Sequence, residues 1–186
     1  MGWKIGLIAV LVAGSAMAQE VSEGERAGLV QATASFYPTF MLNRGVTNNY
    51  IGGYLNIRFH DKYSFRGDIY RYLSNQTDAS YVNDHTFVQC GFLRHFPMKR
   101  FDPFIGGTIG LSAIQTNDHS QMRYQPTTDI MAGMQFMVFH YFYFYVEAHY
   151  IHMQDPWRTT QLDQLMATGG LGFQLPVKRV IQKIKN

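Results

Sequence analysis

The chain has one cysteine, Cys90, in 186 residues, so no internal disulfide can form. It has no CxxC pair and no Cys/His cluster with zinc spacing, so no metal or cofactor is expected. Between residues 28 and 175 no apolar run reaches the roughly 20 residues that a membrane-spanning helix needs. Charge is scarce: Asp, Glu, Lys and Arg make up 16% of the chain, against about 25% in an ordinary soluble domain. The net charge of +3 is partly carried by the last residues, and no basic stripe crosses the body. A nucleic-acid partner is therefore not expected. Internal repeats and low-complexity runs are also missing, and the length fits one domain.

Aromatic residues are abundant, with 12 Tyr and 14 Phe, and hydrophobic residues reach 46%. Strands that face hydrocarbon on one side would have this composition. At the N-terminus, Lys4, the apolar stretch Ile5–Ala13 and the small residues Ala16 and Ala18 read as an export signal over residues 1–18, cleaved before Gln19. The alternative is a membrane anchor, for which the apolar core is short. Residues 19–27 form a polar lead-in.

From Gly28 to Leu175 the main signal is alternation with period two, the mark of strands with one apolar face. Eight segments show it: Gly28–Phe40, Asn49–Phe59, Tyr63–Ser74, Thr86–Phe96, Phe101–Ser112, Thr127–Phe139, Tyr141–His152 and Gln164–Leu175. Each is close to the ~9–11 residues that a tilted strand needs to cross a bilayer. The apolar parity holds Ile57, Phe92, Ile109, Phe136, Phe144 and Leu171, which are expected to face lipid. The polar parity holds Arg58, Arg66, Asp68, Asp129, Glu147 and His149, with His95 nearby, and these are expected to meet in the lumen.

The connections alternate in length. His60–Lys62, Pro97–Arg100 and the bend at His140 are short; Leu42–Asn48, Asn75–His85, Ala113–Pro126 and Met153–Asp163 read as longer polar loops. Bacterial outer-membrane barrels place short turns on the periplasmic side and longer loops outside. An even strand number then puts both termini in the periplasm. In lipid, an open sheet edge leaves backbone groups unpaired, so the sheet must close. The expected fold is all-β: an eight-stranded antiparallel up-and-down transmembrane barrel. After Pro176, residues 176–186 form a basic tail or short amphipathic helix, with Val177, Val180, Ile181 and Ile184 on one face.

The stretch Phe101-Asp102-Pro103-Phe104-Ile105-Gly106-Gly107-Thr108-Ile109-Gly110-Leu111, the closing Gly169-Gly170-Leu171-Gly172-Phe173, and the aromatic strand Tyr141–Tyr150 with inward Glu147 resemble the small bacterial outer-membrane β-barrel family of OmpA and OmpX type. The resemblance spans residues 28–175 and implies an architecture, not an activity. One departure is that Phe173 is followed by a basic tail, not by the chain end.

Charges in a narrow barrel must pair, because an isolated buried charge is very costly. The expected function is a non-enzymatic structural or accessory subunit of an outer-membrane assembly, with the lumen plugged by a polar network. Its expected partners are outer-membrane lipid and possible proteins of the same membrane. Two alternatives stay open: a narrow pore and a lipid A-modifying enzyme. Glu147 and His149 share a face, but no serine lies in their strand or its neighbouring loop, so no catalytic residue is assigned. A soluble ligand-binding barrel would need the inverse pattern, apolar inside and polar outside. Tyr37, Phe40, Phe59, Tyr63, Phe96, Phe101, Phe139 and Tyr150 are read as interfacial girdles, and Asp84-His85 and Asp118-His119 as surface residues.

Overall fold

The computed structural model describes residues 26–75, 81–139, 141–157 and 160–177. The export signal, most of the lead-in, the bend at His140 and the tail beyond Val177 lie outside these residues.

Eight strands form one closed antiparallel barrel in sequence order: β1 (Leu29–Met41), β2 (Val46–His60), β3 (Tyr63–Asn75), β4 (Val82–His95), β5 (Phe101–Thr116), β6 (His119–Met137), β7 (Phe142–Met153) and β8 (Gln164–Pro176). The register sets the stagger. Following paired residues from Gln31 leads through Asn56, Arg66, Gly91, Thr108, Asp129, Ile151 and Gln164, and returns to β1 at Met41. The circuit closes ten residues further along β1, which requires the strands to tilt, typically by about 35–45°. Every side chain on this circuit except Gly91 is buried, so the two faces stay in phase around the wall.

Large apolar side chains cover the outside and the inside is filled. Inner residues are stratified along the axis. The charged pairs occupy the end with the short turns and the middle, where Leu93, Phe104 and Met131, and Tyr54, Met137, Tyr143 and Tyr145, pack beside them. Toward the other end lies an apolar and aromatic cluster of Tyr37, Met41, Tyr50, Tyr70, Phe87, Ile114, Ile151, Met153 and Met166, completed by Tyr81, Val82 and Leu162.

Two expected loops are not loops. Leu42–Asn48 shrinks to a tight turn: Gly45 has φ +63°, a conformation glycine adopts without strain, and its N–H donates to the Met41 carbonyl at 2.9 Å. Ala113–Pro126 is a β-hairpin, because β5 and β6 keep pairing out to Ile114↔Arg123 and Thr116↔His119. Residues 119–124 are exposed at every position. With neither lumen nor lipid to tell its faces apart, this hairpin tip has no reason to alternate, and so its strand character is invisible to a period-two reading.

Two residue placements also change. Tyr37, read as part of a girdle, is fully buried in the inner cluster, as its polar-parity position demands. His85, read as a surface residue, is fully buried, 2.7 Å from both the Tyr50 hydroxyl and Ser112 Oγ.

Candidate functional site: the barrel lumen

The inward parity of β1 to β8 builds the lumen, and all six charged residues singled out above lie on it. They fall into two groups at different heights. Near the short turns, Arg58 on β2 bonds to Asp102 on β5 and to His95 on β4. Ser64 Oγ lies 2.8 Å from His95 Nε2, and Arg26 Nη1 is 3.4 Å from Asp102 Oδ2. One carboxylate thus faces two guanidinium groups and an imidazole. Above it sits an amide belt. The Asn56 side chain donates to Gln31 Oε1 at 2.8 Å, and Gln31 Nε2 donates to Gln135 at 3.0 Å and to Gln174 at 3.3 Å.

The second charged group fills the middle. Arg66 on β3 donates from both Nη atoms to the two Glu147 oxygens, at 2.7 and 3.0 Å, and from Nε to Asp68 Oδ1 at 2.7 Å. This forked geometry suits a guanidinium and no other cation. Its plane lies over the Tyr54 ring, 3.6 Å from the centroid. The Tyr70 hydroxyl donates to Asp68 at 3.0 Å. On β7, His149 stands two residues beyond Glu147. Its Nδ1 is 2.8 Å from Asp129 Oδ2, and its Nε2 is 3.4 Å from Glu147 Oε1. Every member is buried.

Chemically, His149 and Asp129 have the geometry of a base and its orienting carboxylate. Among the described residues no hydroxyl completes that pair, because His149 Nε2 makes no hydrogen bond. Nor do the described residues include a group of three His, Cys, Asp or Glu side chains arranged to hold a metal.

Asp102 was left out of the charged inward set, although it is the hub of the lower group. The apolar cluster was missed altogether. Its signal was present: Phe87, Ile114, Ile151 and Met166 break the polar parity of their strands toward one end. The loop-end tie was missed too. Asp155 accepts from the Tyr81 hydroxyl at 2.6 Å and from Arg44 at 3.3 Å, and it caps the Trp157 N–H at 3.0 Å.

Outside, Ile57, Phe92, Ile109, Phe144 and Leu171 are exposed. Phe136 is half-buried because the Phe101 ring leans on it, with centroids 5.0 Å apart. Around the short-turn end, Phe59, Tyr63, Phe96, Phe101, Phe139 and Phe142 form an exposed aromatic ring. Arg94 lies over Phe96 at this rim. Arg71, toward the other end, pairs with Asp84 at 3.3 Å.

The fold therefore defines a class: a small closed barrel, apolar outside, with a packed polar and aromatic interior. No protein-family model matches the sequence, and no curated protein sequence matches it. Solved structures do. The N-terminal β-barrel domain of Pseudomonas aeruginosa OprF matches with a TM-score of 0.54 and 14% identity, over 80% of this chain and 98% of that one. The outer-membrane protein OprG of the same organism matches at 0.58 and 12%, over 82% and 98%. Neisserial surface protein A matches at 0.57 and 13%, over 80% and 96%. The chain shares the eight-stranded fold of these outer-membrane barrels.

Proposed function

We propose that the chain is an integral protein of the bacterial outer membrane, with both termini in the periplasm. In this reading it serves as a non-enzymatic structural or accessory subunit of an outer-membrane assembly. The membrane part rests on the outer face. Soluble monomers rarely expose contiguous apolar patches beyond a few hundred Å², whereas here Ile, Leu, Val and Phe stay exposed on all eight strands. The orientation rests on the shared end of the two termini and the short turns.

The observation that carries the functional part is the filled lumen. Arg66 and Arg58 are held by carboxylates, the amide belt closes across the bore, and the apolar cluster seals the loop end. A water-filled path needs a continuous polar channel, and this packing supports none. The exposed hairpin tip at 119–124 and the short tied loops suit contact with a neighbouring protein better than an independent adhesin.

Reconstitution in planar bilayers tests this. No stable conductance is expected; reproducible channels would overturn the plugged reading. Fractionation without detergent tests the location, and recovery in the aqueous fraction would refute it. Co-purification from gently solubilised membranes should return a stoichiometric membrane partner.

The His149–Asp129 pair keeps one second reading in play, a lipid A-modifying enzyme. Incubation with labelled lipid A decides it: product formation that is lost in His149→Ala would replace the first reading.

A further inference from the structure

The wall is not uniform. β1 and β8 pair where Leu29–Ala32 meets Phe173–Pro176, and again where Thr39–Met41 meets Gln164–Met166. Between these stretches no ladder pair joins Thr33–Pro38 to Ala167–Gly172, although β1 stays paired to β2 there and β8 to β7. The other seven seams have no break of this kind. Two local features mark the gap. Pro38 has no N–H to give. Thr168 takes over part of the ladder's work: its hydroxyl donates to the Phe36 carbonyl at 2.8 Å and lies 3.0 Å from Ser35 Oγ.

At the upper edge of the gap a cleft of about 400 Å³ opens on the outer face. It is lined by Pro38, Phe40, Ala148, Leu165 and Ala167, with Thr47 at the side. The floor is small because Ala148 pairs with Ala167 across β7 and β8. Phe40 and Leu165, themselves paired across the seam, stand at one end. Thr39, His149 and Met166 border it from inward-facing positions, but its accessible lining is almost wholly apolar and continuous with the apolar outer face, which suits an apolar occupant over a polar solute or a charged peptide.

We propose that the β1–β8 seam is a lateral slot that holds one acyl chain of a membrane lipid against the barrel wall. The inference rests on the outer-membrane reading above. In hydrocarbon an empty cleft forfeits dispersion contacts along its whole lining, and an unpaired stretch of backbone is tolerated only where neighbouring groups satisfy it. Thr168 does so for the Phe36 carbonyl from the inner side, with Ser35 bonded to its hydroxyl. The two alanines leave the outer side open to a chain of methylenes.

The test uses the protein refolded into vesicles of a phosphatidylcholine that carries a mid-chain diazirine, with the label mapped by mass spectrometry. Peptides containing Pro38–Phe40 and Leu165–Ala167 should be labelled several-fold more than those carrying Ile69 and Val88 on the far wall. Ala167→Phe, which fills the cleft from an exposed position, should remove the excess and leave the heat-modifiable gel shift of the folded barrel intact. Ala148→Phe serves the same purpose if Ala167→Phe does not fold. Even labelling round the belt, or an excess that survives the filling variant, overturns the slot while the membrane reading stands. A protein that fails to enter vesicles, with no label above background, overturns both.

Discussion

Replacing Arg66 with Met separates a packed lumen from a wet one. In the folded barrel Arg66 is fully buried and makes three hydrogen bonds, two to Glu147 and one to Asp68. Methionine fills the path of the aliphatic stem but ends near the Nε position, so the guanidinium's contact with the Tyr54 ring is lost together with the charge. Two carboxylates are then left buried without their counter-charge. Removing one partner of a buried pair costs about 3–5 kcal/mol, whereas an exposed pair is worth about 0–1 kcal/mol. Glu147→Gln alone should cost less, because Arg66 keeps Asp68. In the double variant one of the stranded charges is gone, so the two effects should couple by about 2 kcal/mol, within the range for residues in one network. The assay is urea unfolding of the barrel refolded in lipid vesicles, followed by gel shift and far-UV circular dichroism. A cost below about 1 kcal/mol for Arg66→Met, with additive effects in the double variant, would show that water screens the pair. The closed-lumen argument would then be refuted.

Other expectations follow from the same geometry. A methyl group on Gly91 would fall 2.7 Å from the Thr108 Cα, in the backbone of β5, whereas one on Gly107 would meet only the Asp129 carbonyl, at 3.4 Å. Gly91→Ala should therefore cost about 1–3 kcal/mol in the same unfolding assay, and Gly107→Ala should be close to neutral. Val146 is 54% exposed in the middle of β7, so Val146→Arg should cost about 2–4 kcal/mol in vesicles, while Gln115→Arg near the tip of β5 should cost about 0–1 kcal/mol. Asp155→Ala removes the tie among Arg44, Tyr81 and Trp157. It should speed proteolysis between residues 154 and 163 without changing the gel shift of the barrel; unchanged cleavage would show that the tie does not hold the loop.

Much of the wall could be read from local pattern. Period two is a property of consecutive residues, and wherever one face meets lipid and the other the lumen it survives in the residue order. That is why all eight strands, the outward Ile57, Phe92 and Ile109, and the inward Arg58, Arg66 and Glu147 were legible. The pattern failed where its cause was missing. Along residues 119–124, on the β6 arm of the hairpin, both faces are exposed and nothing alternates, although Ile114 and Thr116 on the β5 arm stay buried. At the loop end Tyr37, Phe87, Ile151 and Met166 pack against one another inside, so inward no longer means polar.

The residue order alone determined the number of strands, their parity and the need to close. Who meets whom was decided only in three dimensions. Closure with a stagger of ten residues brings Arg66 to Glu147 and Arg58 to Asp102 across the bore from strands that are not neighbours, while the β6–β7 register sets His149 beside Asp129. The gap beside Pro38 and the cleft over Ala148 and Ala167 exist only where the first and last strands meet. Alternation records which side of a wall each residue faces; the register between strands, fixed by backbone pairing and side-chain packing around the whole circuit, sets its height and its neighbours.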